Sequence, residues 1–107
     1  MPQTTVTTDS VLIARRNPYR RSLIFHNRSV NIIFVNRGGP SGLTTANAGV
    51  RIPAGATRTF DWLHDGADAL ADEWSAISDT GSNTLDWDEY SSVGMPVAKF
   101  EVMEEAK

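Results

Sequence analysis

The residues best equipped for chemistry in this chain of 107 residues lie in one short stretch, Trp62-Leu63-His64-Asp65-Gly66-Ala67-Asp68. His64 and His26 are its two imidazoles, and an imidazole beside carboxylates is a common device for moving protons near neutral pH. Asp61, Asp65, Asp68, Asp72 and Glu73 supply the hard oxygen donors that Ca²⁺ requires. Their spacing departs from the D-x-[DN]-x-[DN]-G loop, and Asp65-Gly66 is ordinary turn chemistry. Asp86, Asp88 and Glu89 form a second acidic group, in which Asp86 and Asp88 alternate with Leu85 and Trp87. Both groups read as solvated acidic faces. His26 falls inside an apolar run and reads as a packed or edge histidine. Trp62, Trp74 and Trp87 offer indole faces that could stack on sugar rings, yet each also falls on an inward strand face, where core packing is expected. Trp62, His64, Asp65 and Asp68 are therefore the candidate ligand site if the chain binds a glycan or another small ligand.

Other catalytic patterns fail on inspection. Gly39-Pro40-Ser41-Gly42-Leu43 places leucine where a nucleophile elbow needs its second glycine, and no strand–turn–helix context surrounds it. No Gly-Lys-Ser/Thr phosphate loop occurs, and with no cysteine there is neither a disulfide nor a thiolate metal site. Asn27-Arg28-Ser29 has the form of a glycosylation sequon but reads as a turn. The expectation is a protein without catalytic activity, metal or cofactor.

The elements that would carry these residues are strands almost throughout. Thr4–Thr8 is rich in β-branched residues, Val11–Ala14 is a short apolar run, and Asn17-Pro18 breaks the chain. In Ser22–His26, Leu23 and Phe25 share one face and Ile24 takes the other. In Val30–Asn36, Val30, Ile32 and Phe34 oppose Ile33 and Val35, so that strand should be central or covered. Val50–Ile52, Thr57–Trp62, Glu73–Ser78 and Thr84–Tyr90 follow, and Met95–Val102 offers one more edge strand. Leu70, Trp74 and Ile77 have helical spacing, but the turn at Asp79–Asn83 leaves room for only a helical turn near 65–72. The fold expected is all-β, a single antiparallel β-sandwich or small barrel of about seven to nine short strands. Its parts are a flexible N-terminal arm over 1–10, a sandwich domain over 11–103 and a frayed tail over 104–107.

Composition narrows the partners. With 40% apolar residues the core is thin or shared with other subunits. Net charge is −3, but it is segregated. Residues 1–58 carry eight arginines against Asp9, and residues 59–107 carry twelve acids against Lys99 and Lys107. Either strands from the two halves interleave in one sheet and the charges mix on the surface, or the molecule has one basic and one acidic face, which would favour contact with copies of the chain or with a charged partner. Arginine suits bidentate pairing with carboxylates. The overall sign argues against nucleic acid. Met1–Val6 has no basic or apolar leader character, and no apolar run approaches the ~20 residues of a membrane helix. A cytoplasmic site of synthesis and no membrane partner are expected.

The order Asn17-Pro18-x-Arg20-x-Ser22-Leu-Ile-Phe-His-Asn27, the strand ending at Val35-Asn36, and Asn47-Ala48-Gly49-Val50-x-Ile52-Pro53-x-Gly55 carry a resemblance. Together with Trp74–Ser78 and Leu85–Tyr90, they resemble small β-sandwich virion proteins of tailed bacteriophages, such as head decoration, cement, fibre and spike components. The resemblance implies a structural protein at the capsid surface of a virion, made in the host cytoplasm. It would decorate or cement the head by binding the major capsid protein and itself, with a trimer favoured. Arg15, Arg16, Arg20, Arg21, Arg37 and Leu43 are the expected interface residues. The Arg37–Gly49 loop has four glycines in thirteen residues and would be an exposed contact loop. The alternative is a carbohydrate- or receptor-binding module of a spike or fibre, using the tryptophans and the acidic loop.

Overall fold

The computed structural model of the protein describes residues 3–91. Its elements in chain order are β1 (Gln3–Val6), β2 (Val11–Ala14), β3 (Arg20–Asn27), β4 (Ile33–Arg37), β5 (Val50–Ile52) and β6 (Thr57–Asp61). Two short helices, α1 (Trp62–Asp65) and α2 (Ala67–Ala71), lead into β7 (Trp74–Ser78) and β8 (Asn83–Ser91). The strands form two four-stranded antiparallel sheets, ordered β1-β8-β3-β6 and β2-β7-β4-β5. The all-β sandwich expected from the strand and turn rhythm is therefore present. The expected strand at Met95–Val102, the domain limit at 103 and the tail over 104–107 lie outside the described residues.

Alternation of side chains decides what each sheet buries. Leu23 and Phe25 of β3 are buried between the sheets, and Ile24 is on the opposite face. Ile33 and Val35 of β4 face Ile52 and Ala76 in the same interior, with Phe34 turned away. At the centre Phe25, Phe60 and Trp74 pack ring against ring, with centroids 4.9–6.0 Å apart. Leu70, fully buried, adds to this core from α2. Ile77 and Leu43 are also buried but fall outside the inter-sheet cluster. Ile77 pairs with Phe34 on the outward face, and the Arg37–Gly49 loop is tied to the second sheet. Ser75 Oγ donates to Gly38 O, Ser10 Oγ to Pro40 O, and Gly49 N to Asn36 Oδ1. A long loop with its own small cluster results.

Two expectations are corrected, and of the two readings of the charge segregation one is selected. Gln3–Val6, placed in a flexible arm, is the edge strand of the first sheet, because its backbone pairs with Asn83–Asp86 and Val6 is fully buried. The helical segment is longer than one turn over 65–72. It begins at Trp62, because the Asp61 carboxylate accepts from His64 N and starts α1 one turn early. Gly66 (φ 91°, ψ 144°) then separates the two helices in a conformation few other residues adopt. Finally, the basic and acidic halves do not make two faces. β7 lies between β2 and β4, and β8 between β1 and β3. This interleaving lets Arg20 pair with Glu89, Arg28 with Asp86 and Arg37 with Asp72.

Candidate functional site

The corner Asn17-Pro18-Tyr19-Arg20 organises the flank where the two sheets meet. Arg20 is 1% exposed. Its Nε donates to Glu89 Oε2 at 2.6 Å, and its two terminal nitrogens donate to the carbonyls of Leu70, Asp72 and Arg15 at 2.6, 2.9 and 2.8 Å. One planar guanidinium thus ties β3 to β8, to the end of α2 and to the end of β2. Asn17 completes the knot: Nδ2 donates to Glu89 Oε1 and Ser91 Oγ, its backbone N to Ala71 O, and Oδ1 accepts from Tyr19 N. The expectation that Arg20 belongs to an interface is overturned, because its donors are used internally. Leu43 is likewise removed from the interface set by its burial at 8% exposure.

Asn27 does the same work at the other end of β3. Fully buried, it accepts from Ser29 N and Ser29 Oγ and donates to the carbonyls of Asn31 and Ile52. Its backbone exchanges bonds with Ala56 and Gly55. The sequon is thus a turn whose asparagine amide has no exposed nitrogen to modify, in line with the sequence reading. This asparagine joins the two halves of the motif, the strand ending in Asn27 and the Ile52–Gly55 turn.

The candidate ligand residues Trp62, His64 and Asp65 lie on α1, and Asp68 on the first turn of α2. His64 Nδ1 lies 2.8 Å from Asp61 Oδ1, and Asp65 Oδ2 accepts from Asp61 N. The backbone N–H of His64, with its ring, holds the Asp61 carboxyl below the ordinary carboxylate value. This is a closed helix-start arrangement, and the imidazole itself is 81% exposed. Trp62 lies under the Arg21 guanidinium, 5.4 Å from its centroid. Trp74 is in the core, with Nε1 donating to Ala69 O, so the three indoles share no open face. Among the described residues, no group of three His, Asp or Glu side chains is placed to hold a metal ion.

Acidic residues on β8 behave differently from a solvated row. Asp86 is 1% exposed although it lies on the outward face of its sheet, opposite His26 and Gln3. Arg28 covers it, with Nε at 2.7 Å and a terminal nitrogen at 2.6 Å from Oδ2. The hydrogen bond from Arg28 outweighs the loss of solvent and holds this carboxyl below its ordinary value. At Asp72, loss of solvent pushes the other way, but Arg37, the Glu73 N–H and the charge of Arg16 bring the carboxyl down.

One cleft remains open beside the Arg20 knot. Its volume is about 360 Å³, and Ile13, Arg15, Arg16, Asn17, Arg20, Trp87 and Glu89 line it. Asn17, Arg20 and Glu89 saturate one another at its base. Arg15 and Arg16 are exposed and form no ion pair among the described residues. Of the other expected interface residues, Arg37 is engaged with Asp72 and Arg21 with Trp62. Arg15, Arg16 and Arg20 thus line one cleft, with Arg15 and Arg16 exposed at its mouth, and Arg21, Arg37 and Leu43 are not among its lining residues. Sequence reasoning missed the cleft's apolar floor, Ile13 and Trp87, because these residues come from opposite ends of the chain.

Compared with known proteins, the chain matches no family model, no curated protein and no solved structure.

Proposed function

We propose that the protein is a structural component of a tailed-bacteriophage virion, a capsid decoration or cement protein that binds the major capsid protein and copies of itself. The resemblance over Asn17–Gly55 supplies the class. The observation that carries the role is how the polar residues of those motifs are used. Asn17, Arg20 and Asn27 brace the sandwich from within. Arg15 and Arg16 remain as exposed cations beside an open cleft. A rigid body with a localised cationic contact suits a protein whose work is to span neighbouring acidic surfaces.

The reading is tested by adding purified protein to virion shells that lack it and following their disruption temperature. Saturable binding with a rise in that temperature is expected. Shells that neither bind the protein nor gain stability would remove the capsid role.

A further inference from the structure

We infer that the β2 edge and its cleft form a docking site for an extended acidic segment of a partner protein, in which an apolar side chain is followed two positions on by an acidic one. The inference rests on the contact role proposed above, but it does not depend on the partner being a capsid protein. Three observations support it. First, β2 is an edge strand of its sheet. Among the described residues no strand pairs with its outer side, and Val11–Ala14 make no backbone hydrogen bonds beyond the β7 ladder. An unpaired edge of this kind accepts an extended peptide through main-chain bonds.

Second, the ladder shifts register between Leu12 and Ala14, and this irregularity leaves two consecutive residues, Ile13 and Ala14, buried. Ile13 thereby lines the cleft along with Trp87, which gives an incoming apolar side chain a floor of aliphatic and indole surface. Third, the strand runs directly into Arg15 and Arg16, whose guanidinium groups are exposed and form no ion pair among the described residues, although the charge of Arg16 also acts on Asp72. A carboxylate two positions on from the apolar side chain lies on the same face of the incoming strand and would meet them, and the fork of arginine matches it bidentately. Glu89 gives little opposing charge, since Arg20 and Asn17 already bind both of its oxygens. The backbone supplies affinity, and an apolar and an acidic side chain placed on one face of the segment supply selectivity.

The test uses the full chain and two hexapeptides, one with leucine at its second position and glutamate at its fourth and sixth among serines, and one with glutamine in place of the glutamates. Binding is followed by amide chemical-shift mapping and by calorimetry at low salt. The glutamate peptide is expected to bind at least tenfold more tightly than the glutamine peptide, to shift amides over Val11–Arg16, and to weaken with salt. R15E/R16E, which alters exposed side chains and leaves the Arg15 carbonyl in place for Arg20, should abolish the difference while amide shifts elsewhere stay native. Equal binding of both peptides, or shifts mapping to another edge, overturns the inference. So does equal occupancy by benzoate at the same concentration, which would make the cleft a small-molecule site. The shell-binding assay separates the two levels: peptide selectivity without shell binding overturns the capsid role alone, and shell binding without peptide selectivity overturns the docking site alone.

Discussion

Arg20 and Glu89 meet at 2.6 Å across two strands, and the same guanidinium also holds three backbone carbonyls, two from the end of α2 and one from the end of β2. An ion pair of this kind is positional before it is energetic. Its charges attract, but removing them from water offsets much of the gain. Its particular value is that no other residue type offers enough donors on one rigid group to reach all four acceptors.

Replacing Arg20 with methionine should therefore destabilise the fold by about 3–5 kcal/mol, the usual cost of breaking a buried pair from one side. R20K should recover little of this, since an ammonium cannot reach all four acceptors. Urea denaturation of the two variants and of R20M/E89M provides the measurement. The double variant should be more stable than R20M, because Glu89 no longer faces an empty partner position.

Gly66 separates a steric account of a glycine from a backbone one. A Cβ placed there would meet nothing within 4 Å, so G66A has no clash to relieve. Its φ of 91° still disfavours any side chain, and a loss of about 1–3 kcal/mol is expected from backbone strain alone. A thermal midpoint within error of the parent would show that the two helices rejoin in another way.

Acid stability follows from Asp86. Arg28 keeps its carboxyl below the ordinary value, so the folded protein takes up this proton less readily than the unfolded chain. The stabilisation is complete above the unfolded value of about 3.9 and is lost as pH falls through the folded value. Asp61 and Asp72 act in the same sense. Thermal midpoints measured downward from about pH 6 should fall steeply below about pH 4, and less steeply in R28M. Parallel curves would remove Arg28 as the cause.

The aromatic cluster predicts unequal tryptophans. W74A opens a cavity beside Phe25 and Phe60 and should cost about 3–5 kcal/mol. W62A, at a half-buried position on α1, should cost less and leave the sheets intact. Glycan titration of W62A against the parent, read by fluorescence, examines the carbohydrate alternative. Identical spectra with and without glycans in both proteins would end it.

Strands were legible wherever side-chain alternation is local. Leu23 and Phe25 against Ile24, and Ile33 and Val35 against Phe34, declare their faces within a few residues. Turns at Asn27 and Gly55 were equally plain. Partners across the fold were not legible, because charge counted along the chain does not say which strands become neighbours. Arg20 and Arg16 have the same side chain four positions apart. One is enclosed and one is exposed, since a shift of register between Arg20 and Ser22 on β3 and the position of β8 decide the matter. The start of α1 at Trp62 was hidden for a related reason, as Asp61 was read among possible cation ligands when its carboxylate was needed by His64 N.

The positions of β7 and β8 set an order of events. Among the described strands, β1 pairs with β8 alone and β2 with β7 alone. As the chain emerges from the ribosome, its first two strands are made long before the strands that will hold them. They stay unpaired until about the last fifth of the described residues has been made, and closure then requires contacts of the longest sequence separation. The Asn17–Arg20 corner waits as well, since Glu89 lies on β8. A pulse of protease during synthesis should cut near residues 7–16 first and become ineffective there once β8 has joined the sheet. The segment proposed to receive a partner's strand is the same one that waits for β7 before it is held.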